Sequence, residues 1–337
     1  KKGKAMKFGT RPGAMALLAS PVLAMLSALL LWVGNVHAQT YPDRAIKIVV
    51  PFVAGGATDL VARAIATEMT KSLGQPVIVD NRPGNAGAVG ADLVAKSQPN
   101  GYTLCLCTVG SLVTAPLLNP AVPYRTMRDL IPVSMVNSVE LGLFARGTLP
   151  ASNLPEFVEL AKASPGKYTY ATTGVDGPNY LAFQLFLQRA GITMLHVPYK
   201  GDGQSVVALA AGEVDVFVGG LQSALPLMKA GRVKALAMTG LQRSKLVPEV
   251  PTATESFPGY EHSVWSGIVV AAGTSPAIVS RLHESIASAV RQPAVQAIFE
   301  QNGVLGVGST PAEFTAAIQR DVEKYTEVQR RAGTLKQ

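Results

Sequence analysis

The chain of 337 residues is long enough for two domains of ordinary size, and its composition excludes several classes of protein. Hydrophobic residues make up 48% of it, too much for a disordered chain, and 2 cysteines cannot hold together a small disulfide-rich scaffold. The formal charge of +8 is typical of a nucleic-acid binder, but five of the 30 basic residues and no acidic residue precede residue 39. The rest of the chain has 25 basic residues against 22 acidic ones, so we expect no nucleic-acid partner.

The N-terminal segment has the pattern of a secretory signal peptide. Lysines at its start are followed by an uncharged run from Pro12 to Ala38 that is rich in Leu, Ala, Met and Val. This run is long enough to span a bilayer as an anchor. However, Pro21 and the closing tripeptide Val36-His37-Ala38, a small-x-small pattern, favour cleavage. We therefore predict a signal peptide over residues 1–38 and a mature protein that works outside the cytoplasm.

The mature chain opens with a predicted strand–helix–strand unit. Residues 46–53 form a nearly continuous β-branched run, as in a strand that is buried on both faces. Gly55 and Gly56 end this strand, and a helix follows from Thr58 until Gly74 stops it. Such units build parallel α/β sheets. A second strand, a glycine-rich surface loop and a third strand are expected over residues 77–79, 81–90 and 102–107.

The middle of the chain repeats the α/β pattern, and its C-terminal part becomes helical. Ser275-Pro276 and Pro293 each predict the start of a helix, and the segment from Thr310 to Glu313 is a capping box. No long linker interrupts the chain, which favours two domains that cross over to each other more than once. The predicted strands cover residues 168–172, 194–197, 214–218 and 233–238, and the helices cover residues 178–189, 204–211 and 224–230.

The segment from Pro51 to Asp59 has the pattern of an anion-binding turn. A strand ends, Gly55 and Gly56 remove two side chains, and a helix begins with backbone N–H groups that have no intrahelical partner. Because glycine has no Cβ, a carboxylate or phosphate can come within hydrogen-bonding distance of these groups. The alternative is a plain strand-to-helix turn that needs glycine for its geometry alone.

A second segment of the same kind runs from Tyr170 to Pro178. A strand leads into small residues, Pro178 begins a helix, and Thr172 and Thr173 add hydroxyl donors. Ligands of open α/β sheets lie outside the carboxyl ends of the strands. The two segments are therefore expected to face each other across a cleft and to hold an acid from both sides.

Catalytic and metal-binding patterns are weak. Neither G-x-S-x-G nor H-E-x-x-H occurs, and Ser111, which follows a strand, has no base nearby in the pattern, so we interpret it as lining or structural. Cys105 and Cys107 share one face of their strand, with a Cα separation of roughly 6.5 Å, at the long end of disulfide geometry. Two further metal ligands are lacking. Either buried free thiols or an unusual bridge remains open.

An oxidoreductase that binds a dinucleotide, exported or cytoplasmic, is the alternative function. A strand, Gly55-Gly56, a helix, a second strand and Asp80 imitate the Rossmann fold, whose acidic residue lies about 20 positions past the glycines. However, the full G-x-G-x-x-G is missing, and Asp59 would place a negative charge near the pyrophosphate. Export would also separate the protein from nicotinamide pools of the cytoplasm. We therefore predict no enzyme activity, no cofactor and no metal.

The mature chain resembles the Bug-type extracytoplasmic solute-binding proteins, the receptors of tripartite tricarboxylate transporters. The segments that carry the resemblance run the length of the mature chain: YPDRAIKIVVPFVAGGATDLVAR, VIVDNRPGNAGAVGADLVAKSQPNGYTL, LHVPYKGDG, AAGEVDVFVG, VPTATESFPGY and WSGIVVAAGTSPAIVSRL.

This resemblance implies a two-domain α/β Venus-flytrap fold, in which each domain is a mainly parallel sheet flanked by helices. We expect one domain over residues 39–142 plus 264–337 and the other over residues 143–263. The implied function is the capture of a small carboxylate in the periplasm by a monomer, which contacts the subunits of its membrane transporter transiently and catalyses no reaction.

The resemblance also implies ligand-binding residues. In the first domain these are Phe52, Val53, Gly55, Gly56, Ala57, Thr58 and Asp59, together with Thr108 and Ser111 from a later loop. In the second domain they are Thr172, Thr173, Gly174, Val175, Gly177, Tyr180, Gly219 and Gly220.

Three positions in the second domain depart from the family pattern, and one of them is Gln204, which replaces the Pro that is usual after Tyr199-Lys200-Gly201. Tyr180 stands where a His is common, and we hypothesise that its ring stacks on a flat or aromatic acid. Gly219 stands where an Asp often ends the strand, which we interpret as disfavouring an amino-acid ligand.

Overall fold

The computed structural model describes residues 41–174 and 177–331, together with residues 3, 5 and 9. Apart from those three residues, the predicted signal peptide lies outside the described part of the chain. The fold described below is that of the compact unit Arg44–Gln337. Within the described residues, no helix is both long enough and apolar enough to span a membrane.

The helices and strands fall into three stretches of the chain. The first contains β1 (Ile46–Val50), α1 (Ala57–Leu73), β2 (Val77–Asn81), α2 (Ala88–Ala95), β3 (Thr103–Thr108), α3 (Ala115–Leu118), α4 (Thr126–Asp129) and β4 (Leu130–Val139). The second contains β5 (Leu141–Arg146), α5 (Leu154–Lys162), β6 (Thr169–Thr173), α6 (Pro178–Ala190), β7 (Leu195–Tyr199), α7 (Asp202–Ala211), β8 (Val216–Gly220), α8 (Leu221–Lys229), β9 (Val233–Met238) and α9 (Ala253–Ser256). The third contains β10 (Val264–Ala271), α10 (Pro276–Val290), α11 (Pro293–Gln301), β11 (Val304–Gly306) and α12 (Pro311–Arg331).

The first and third stretches form one six-stranded sheet, in the order β11-β4-β10-β3-β1-β2. β2 and β3 pair with β1 in parallel, as the strand–helix–strand pattern predicts, whereas β10, β4 and β11 pair in antiparallel fashion. Ile46, Ile48, Val49 and Val50 of β1 are fully buried, which accounts for the continuous apolar run in the sequence. This sheet and its helices are called the first lobe.

The second stretch forms a five-stranded sheet, in the order β7-β6-β8-β5-β9, and is called the second lobe. β6 pairs in parallel with β7 and β8, and β5 pairs in antiparallel fashion with β8 and β9. The predicted α/β fold of two helix-flanked sheets is therefore confirmed. Both sheets are, however, mixed rather than mainly parallel, because β4, β5, β10 and β11 pair in antiparallel fashion. The hydrophobic pattern did not reveal these four strands.

The chain crosses between the lobes at Glu140, which alone separates β4 from β5, and returns between α9 and β10, over residues 257–263. Val139 pairs with Val264 in the first sheet, and Leu141 pairs with Gly220 in the second. β4 is parallel to β1 and β3, since both β3 and β4 are antiparallel to β10. The carboxyl ends of β1 and β3 therefore lie at the edge of the first sheet that adjoins the crossover. The carboxyl end of β8 lies at the corresponding edge of the second sheet, because Gly220 pairs with Leu141.

The structure confirms the expected surface loop over residues 82–86, which are all exposed, but not over the rest of residues 81–90. Asn81 still belongs to β2, a short 3-10 segment covers Asn85–Gly87, and α2 begins at Ala88. A Cβ on Gly90 would lie 2.8 Å from the Cβ of Pro51, so this glycine permits close packing rather than exposure.

The structure also resolves the alternatives for the two cysteines. Cys105 and Cys107 form a disulfide within β3, with their Cα atoms 5.4 Å apart. Both residues are fully buried. The interpretation as free thiols is therefore wrong, and the expected Cα separation for an undistorted strand was about 1 Å too long.

Candidate functional site

The loop between β1 and α1, residues 51–56, is shaped by Asp59 and is called the Gly55 loop. Oδ2 of Asp59 accepts hydrogen bonds from the Gly55 N–H at 2.9 Å and from Nε of Arg63 at 2.9 Å. Oδ1 accepts a hydrogen bond from Nδ2 of Asn81 at 3.0 Å, and the same Nδ2 also donates to the carbonyl oxygen of Phe52. Gly55 has a φ of +81°, a conformation that L side chains rarely adopt. Asp59 thus connects the loop, its helix and the neighbouring strand.

The hydrogen bonds that Asp59 accepts stabilise its negative charge. Burial raises the pKa of this carboxyl, but the hydrogen bonds from Arg63, Gly55 and Asn81 outweigh it and lower the pKa below the ordinary 3.8. Asp59 is only 2% exposed, and its two oxygens bond within the protein. Among the predicted binding residues, Asp59 therefore positions the loop rather than presenting its carboxylate to a ligand.

The start of α1 presents unsatisfied backbone donors. Gly56 is the N-cap residue, and no side chain caps the helix. The N–H groups of Ala57 and Thr58 are at the positive end of the helix dipole and have no intrahelical partner. Phe52 is half-buried, whereas Val53 is 66% exposed. This arrangement is suited to a carboxylate, as the sequence predicts.

Two further segments pack beside the Gly55 loop. Oγ of Ser111 accepts a hydrogen bond from the Thr108 N–H at 3.0 Å and donates to the Thr108 carbonyl oxygen at 3.1 Å. Ser111 is fully buried, so it fixes the turn after β3 rather than acting as a nucleophile. A Cβ on Gly87 would lie 3.0 Å from the Cβ of Ser111 and 3.3 Å from the ring of Phe52. The segment that contains Gly87 therefore packs against both Ser111 and Phe52. Sequence reasoning did not identify this segment as part of the candidate site.

In the second lobe, Thr173 at the end of β6, together with Gly174 and Gly177 after it, is called the Thr173 loop. Thr172, which precedes it, is fully buried, and its hydroxyl bonds with the Gly174 carbonyl oxygen at 3.1 Å and with Nε2 of His196 at 2.8 Å. Thr173 is the more accessible of the two threonines. Val175, a predicted ligand residue, lies outside the described residues.

The Thr173 loop ends against α6 at a close approach. Gly177 is the N-cap residue of α6, which has no side-chain cap, and a Cβ on Gly177 would lie 2.8 Å from the Thr173 carbonyl oxygen. Gly174, with a φ of +74°, donates its N–H to the Tyr199 carbonyl oxygen at 3.0 Å. Glycine is thus required at both ends of the loop.

Tyr180 lies on the first turn of α6, beside His196. The two ring centroids are 4.7 Å apart, and Tyr180 also packs against the core clusters of both lobes. The stacking of Tyr180 on a ligand remains a prediction, and one neighbour of its ring is already His196.

The strand end at Gly219 and Gly220 carries an acidic group that sequence reasoning missed. Oδ2 of Asp202, the first residue of α7, accepts a hydrogen bond from the Gly220 N–H at 2.8 Å. Burial raises the pKa of this carboxyl, and the Gly220 hydrogen bond opposes that effect. A Cβ on Gly219 would lie 2.1 Å from the ring of Phe217, so an acidic side chain at 219 would require rearrangement. The signal for Asp202 in the sequence was its place after β7, at the carboxyl end of a parallel strand.

A buried polar chain links the lobes near the return crossover. Nε2 of His262 bonds with Oδ1 of Asn179 at 2.9 Å, and Nδ1 of His262 faces the Tyr325 hydroxyl at 3.3 Å. His262 is fully buried, and this burial, with a smaller contribution from the positive charge of Lys324, lowers its pKa from the ordinary 6.5 to about 3. Because the side-chain oxygen of Asn179 can only accept, the neutral imidazole carries its proton on Nε2.

A cavity of about 690 Å³ lies beside the crossovers, lined by parts of α6, α12 and the return crossover. Of the predicted ligand-binding residues that the structure describes, none lines it. Side chains of both charges do, among them Glu140, Arg189 and Arg320. Its mixed charge distinguishes it from the Gly55 loop and the Thr173 loop.

Two helix-flanked α/β lobes joined by crossing strands define the class of two-domain periplasmic binding proteins. The chain belongs to the receptor family of tripartite tricarboxylate transporters, since the model of the family described as "Tripartite tricarboxylate transporter family receptor" matches residues 61–333.

Individual relatives agree with this assignment. Protein BugT of Bordetella pertussis is 36% identical over 300 residues, which cover 88% of this chain and 92% of BugT. The structure of the periplasmic binding protein BugD is 32% identical with a TM-score of 0.68, and the match covers 88% of this chain and 100% of BugD. MatC from Rhodopseudomonas palustris, solved with bound malate, is 31% identical with a TM-score of 0.68, covering 86% of this chain and 99% of MatC. The chain is thus a periplasmic solute-binding protein of this family, and the resemblance is confirmed.

Proposed function

We propose that the chain captures a small organic carboxylate between its two lobes and delivers it to a tripartite tricarboxylate-type membrane transporter. In this proposal it acts as a monomer without a cofactor, contacts transporter subunits transiently, binds no nucleic acid and catalyses no reaction. The N-terminal residues 1–38 act as a signal peptide that is cleaved near Ala38. The two domains span residues 39–142 plus 264–337 and residues 143–263.

The observation that carries the proposal is a pair of uncapped helix N-termini, each preceded by a glycine loop, on the two lobes. α1 follows the Gly55 loop and α6 follows the Thr173 loop, and neither helix has a side-chain cap. The carboxyl end of β1 lies at the sheet edge that adjoins the crossover, and β6 is parallel to β8, whose carboxyl end adjoins it too. The Gly55 loop and the Thr173 loop thus lie at the two sheet edges that adjoin the crossovers. A carboxylate bound between these edges would meet donors from each lobe.

The mechanism that fits this geometry is hinge closure at the crossovers. The free protein is mainly open, and an acid bound to one loop recruits the other. Closure removes the ligand from water and creates the surface that the transporter recognises. MatC, a relative of similar fold, was solved with malate, a dicarboxylate, which supports this ligand class.

The alternative of a dinucleotide-binding oxidoreductase has less support. Asp80, which would have to bind the ribose, lies 3.3 Å from Nζ of Lys47 and 3.1 Å from Nε of Arg82. Asp59, beside the position of the pyrophosphate, remains a carboxylate at neutral pH because its pKa is lowered. A dinucleotide would therefore meet an acid already paired with two cations and a buried negative charge.

A thermal-shift screen distinguishes the two functions. The purified protein is heated with mono-, di-, tri- and aromatic carboxylates and, separately, with NAD. A ligand at a hundred times its dissociation constant adds about 2.7 kcal/mol to the free energy of unfolding, which raises Tm by a few degrees. We expect a shift from one group of acids and none from NAD. A shift from NAD alone would refute the receptor function.

A further inference from the structure

Asp202 stands at the proposed site without belonging to either glycine loop. It begins α7, and its carboxylate reaches the end of β8, where Oδ2 accepts the Gly220 N–H at 2.8 Å. Among the described residues, no hydrogen bond or ion pair reaches Oδ1. One oxygen is therefore anchored, and the other is available.

The position of the carboxylate follows from the two glycines beside it. A Cβ on Gly219 would lie 3.0 Å from Oδ1, and a Cβ on Gly220 would lie 3.1 Å from Oδ2. Successive Cβ atoms of a strand point to opposite faces of a sheet. A carboxylate that is close to the Cβ positions of both glycines therefore lies beyond the end of β8 rather than over one face of the sheet. This is where ligands of α/β sheets bind, and neither glycine has a side chain that would cover the carboxylate.

The chemistry of a half-buried carboxylate limits what it accepts from a ligand. An ionised carboxylate only accepts hydrogen bonds, and it repels a second carboxylate at close range. Desolvation raises the pKa of Asp202, which means that its charged form is less well solvated than that of an exposed aspartate. A hydroxyl or ammonium group that donates to Oδ1 would relieve this, whereas a plain methylene would leave it unchanged.

We propose that Asp202 is a specificity-determining residue, and that it selects carboxylates which also carry a hydroxyl or ammonium group, through a hydrogen bond from that group to Oδ1. This inference rests on the proposed function. It replaces the hypothesis that Gly219 disfavours an amino-acid ligand, because Asp202 supplies from α7 the acidic group that position 219 lacks.

The test compares matched acids that differ in one substituent. Calorimetric titrations of the purified protein use three sets: propionate, lactate and alanine; succinate, malate and aspartate; glutarate, 2-hydroxyglutarate and glutamate. In at least one set, we expect the hydroxyl or ammonium member to bind about tenfold or more tightly than the unsubstituted acid, as a hydrogen bond to a charged group provides.

The variant Asp202→Asn then tests the residue. Its side-chain oxygen still accepts the Gly220 N–H, so that its NH2 group, a donor, faces the ligand. We expect the preference to fall about tenfold, while the unsubstituted acid binds at least as well as before. Glu213→Gln, at an exposed acid just past the other end of α7, is the control for charge removal and should keep the wild-type preference.

Each outcome separates this inference from the proposed function. If the wild-type protein binds unsubstituted acids as tightly as their matched partners, the role of Asp202 is refuted and the receptor function stands. If Asp202→Asn retains the full preference, the selection is made elsewhere. If no acid binds, the proposed function fails, and the inference fails with it. The wild-type comparison does not depend on the folding of the variant.

Discussion

His262 is expected to make the stability of the protein depend on pH. Its folded-state pKa of about 3 lies below the ordinary 6.5, so the unfolded chain binds the proton and the folded chain does not. The contribution to stability is therefore fully present above pH 6.5 and is lost progressively as the pH falls from 6.5 towards 3. In the unfolded state the imidazole is about three-quarters neutral at pH 7 and almost fully protonated at pH 5. Between those pH values His262 alone should lower the free energy of unfolding by about 2 kcal/mol.

The assay is urea unfolding at pH 7, 6 and 5 for the wild-type protein and for His262→Gln. The variant loses hydrogen bonds to Asn179 and Tyr325 and should be less stable at pH 7 by about 1–3 kcal/mol. Its loss of stability between pH 7 and pH 5 should nevertheless be smaller than that of the wild-type protein by about 2 kcal/mol.

Tyr325→Phe is the matched control. It removes the hydroxyl that faces Nδ1 but retains the buried imidazole, so it should lower stability at every pH by about 1 kcal/mol and keep the wild-type pH dependence. If His262→Gln shows the same pH dependence as the wild-type protein, then the imidazole is protonated in the fold and the reasoning from burial is wrong.

Two further substitutions test the loops. Asp59→Asn weakens the contacts with Gly55 and Arg63, so we expect a loss of about 1–2 kcal/mol in urea unfolding and weaker acid binding; unchanged values for both would contradict the positioning role of Asp59. Gly177→Ala places a Cβ 2.8 Å from the Thr173 carbonyl oxygen and should weaken acid binding about tenfold. Gly203→Ala, where a Cβ meets nothing within 4 Å, is its control and should bind as the wild-type protein does; equal affinity of the two variants would count against the close approach.

The part of the fold that the sequence predicts is the part set by local signals. β1 is apolar apart from the exposed Lys47 because its other four residues are fully buried, and α1 ends before Gly74, whose φ of +70° favours glycine. The capping box at the start of α12 also forms, with the Thr310 N–H donating to Oε2 of Glu313 at 2.9 Å. Each of these features depends on residues that are close in the chain.

The features that the sequence did not reveal depend on distant residues. His262 meets Asn179 across 83 positions, and Asp202 meets Gly220 across 18, which only the arrangement of the strands and helices brings together. β4 and β10 were missed although they pair with each other, because the whole second lobe separates them in the chain. Asp59 was identified as a site residue, but its role in holding Gly55 and Asn81 required the coordinates.

The most direct test of the central claim is a calorimetric titration of Thr173→Glu with whichever carboxylate binds most tightly to the wild-type protein. Thr173 is half-buried in the Thr173 loop, so the variant places a negative charge where the ligand carboxylate is proposed to bind. We expect binding to fall at least a hundredfold while Tm stays within a few degrees, and the neutral variant Thr173→Gln to lose about tenfold at most. Acid binding that survives in Thr173→Glu would show that the carboxylate does not lie against this loop.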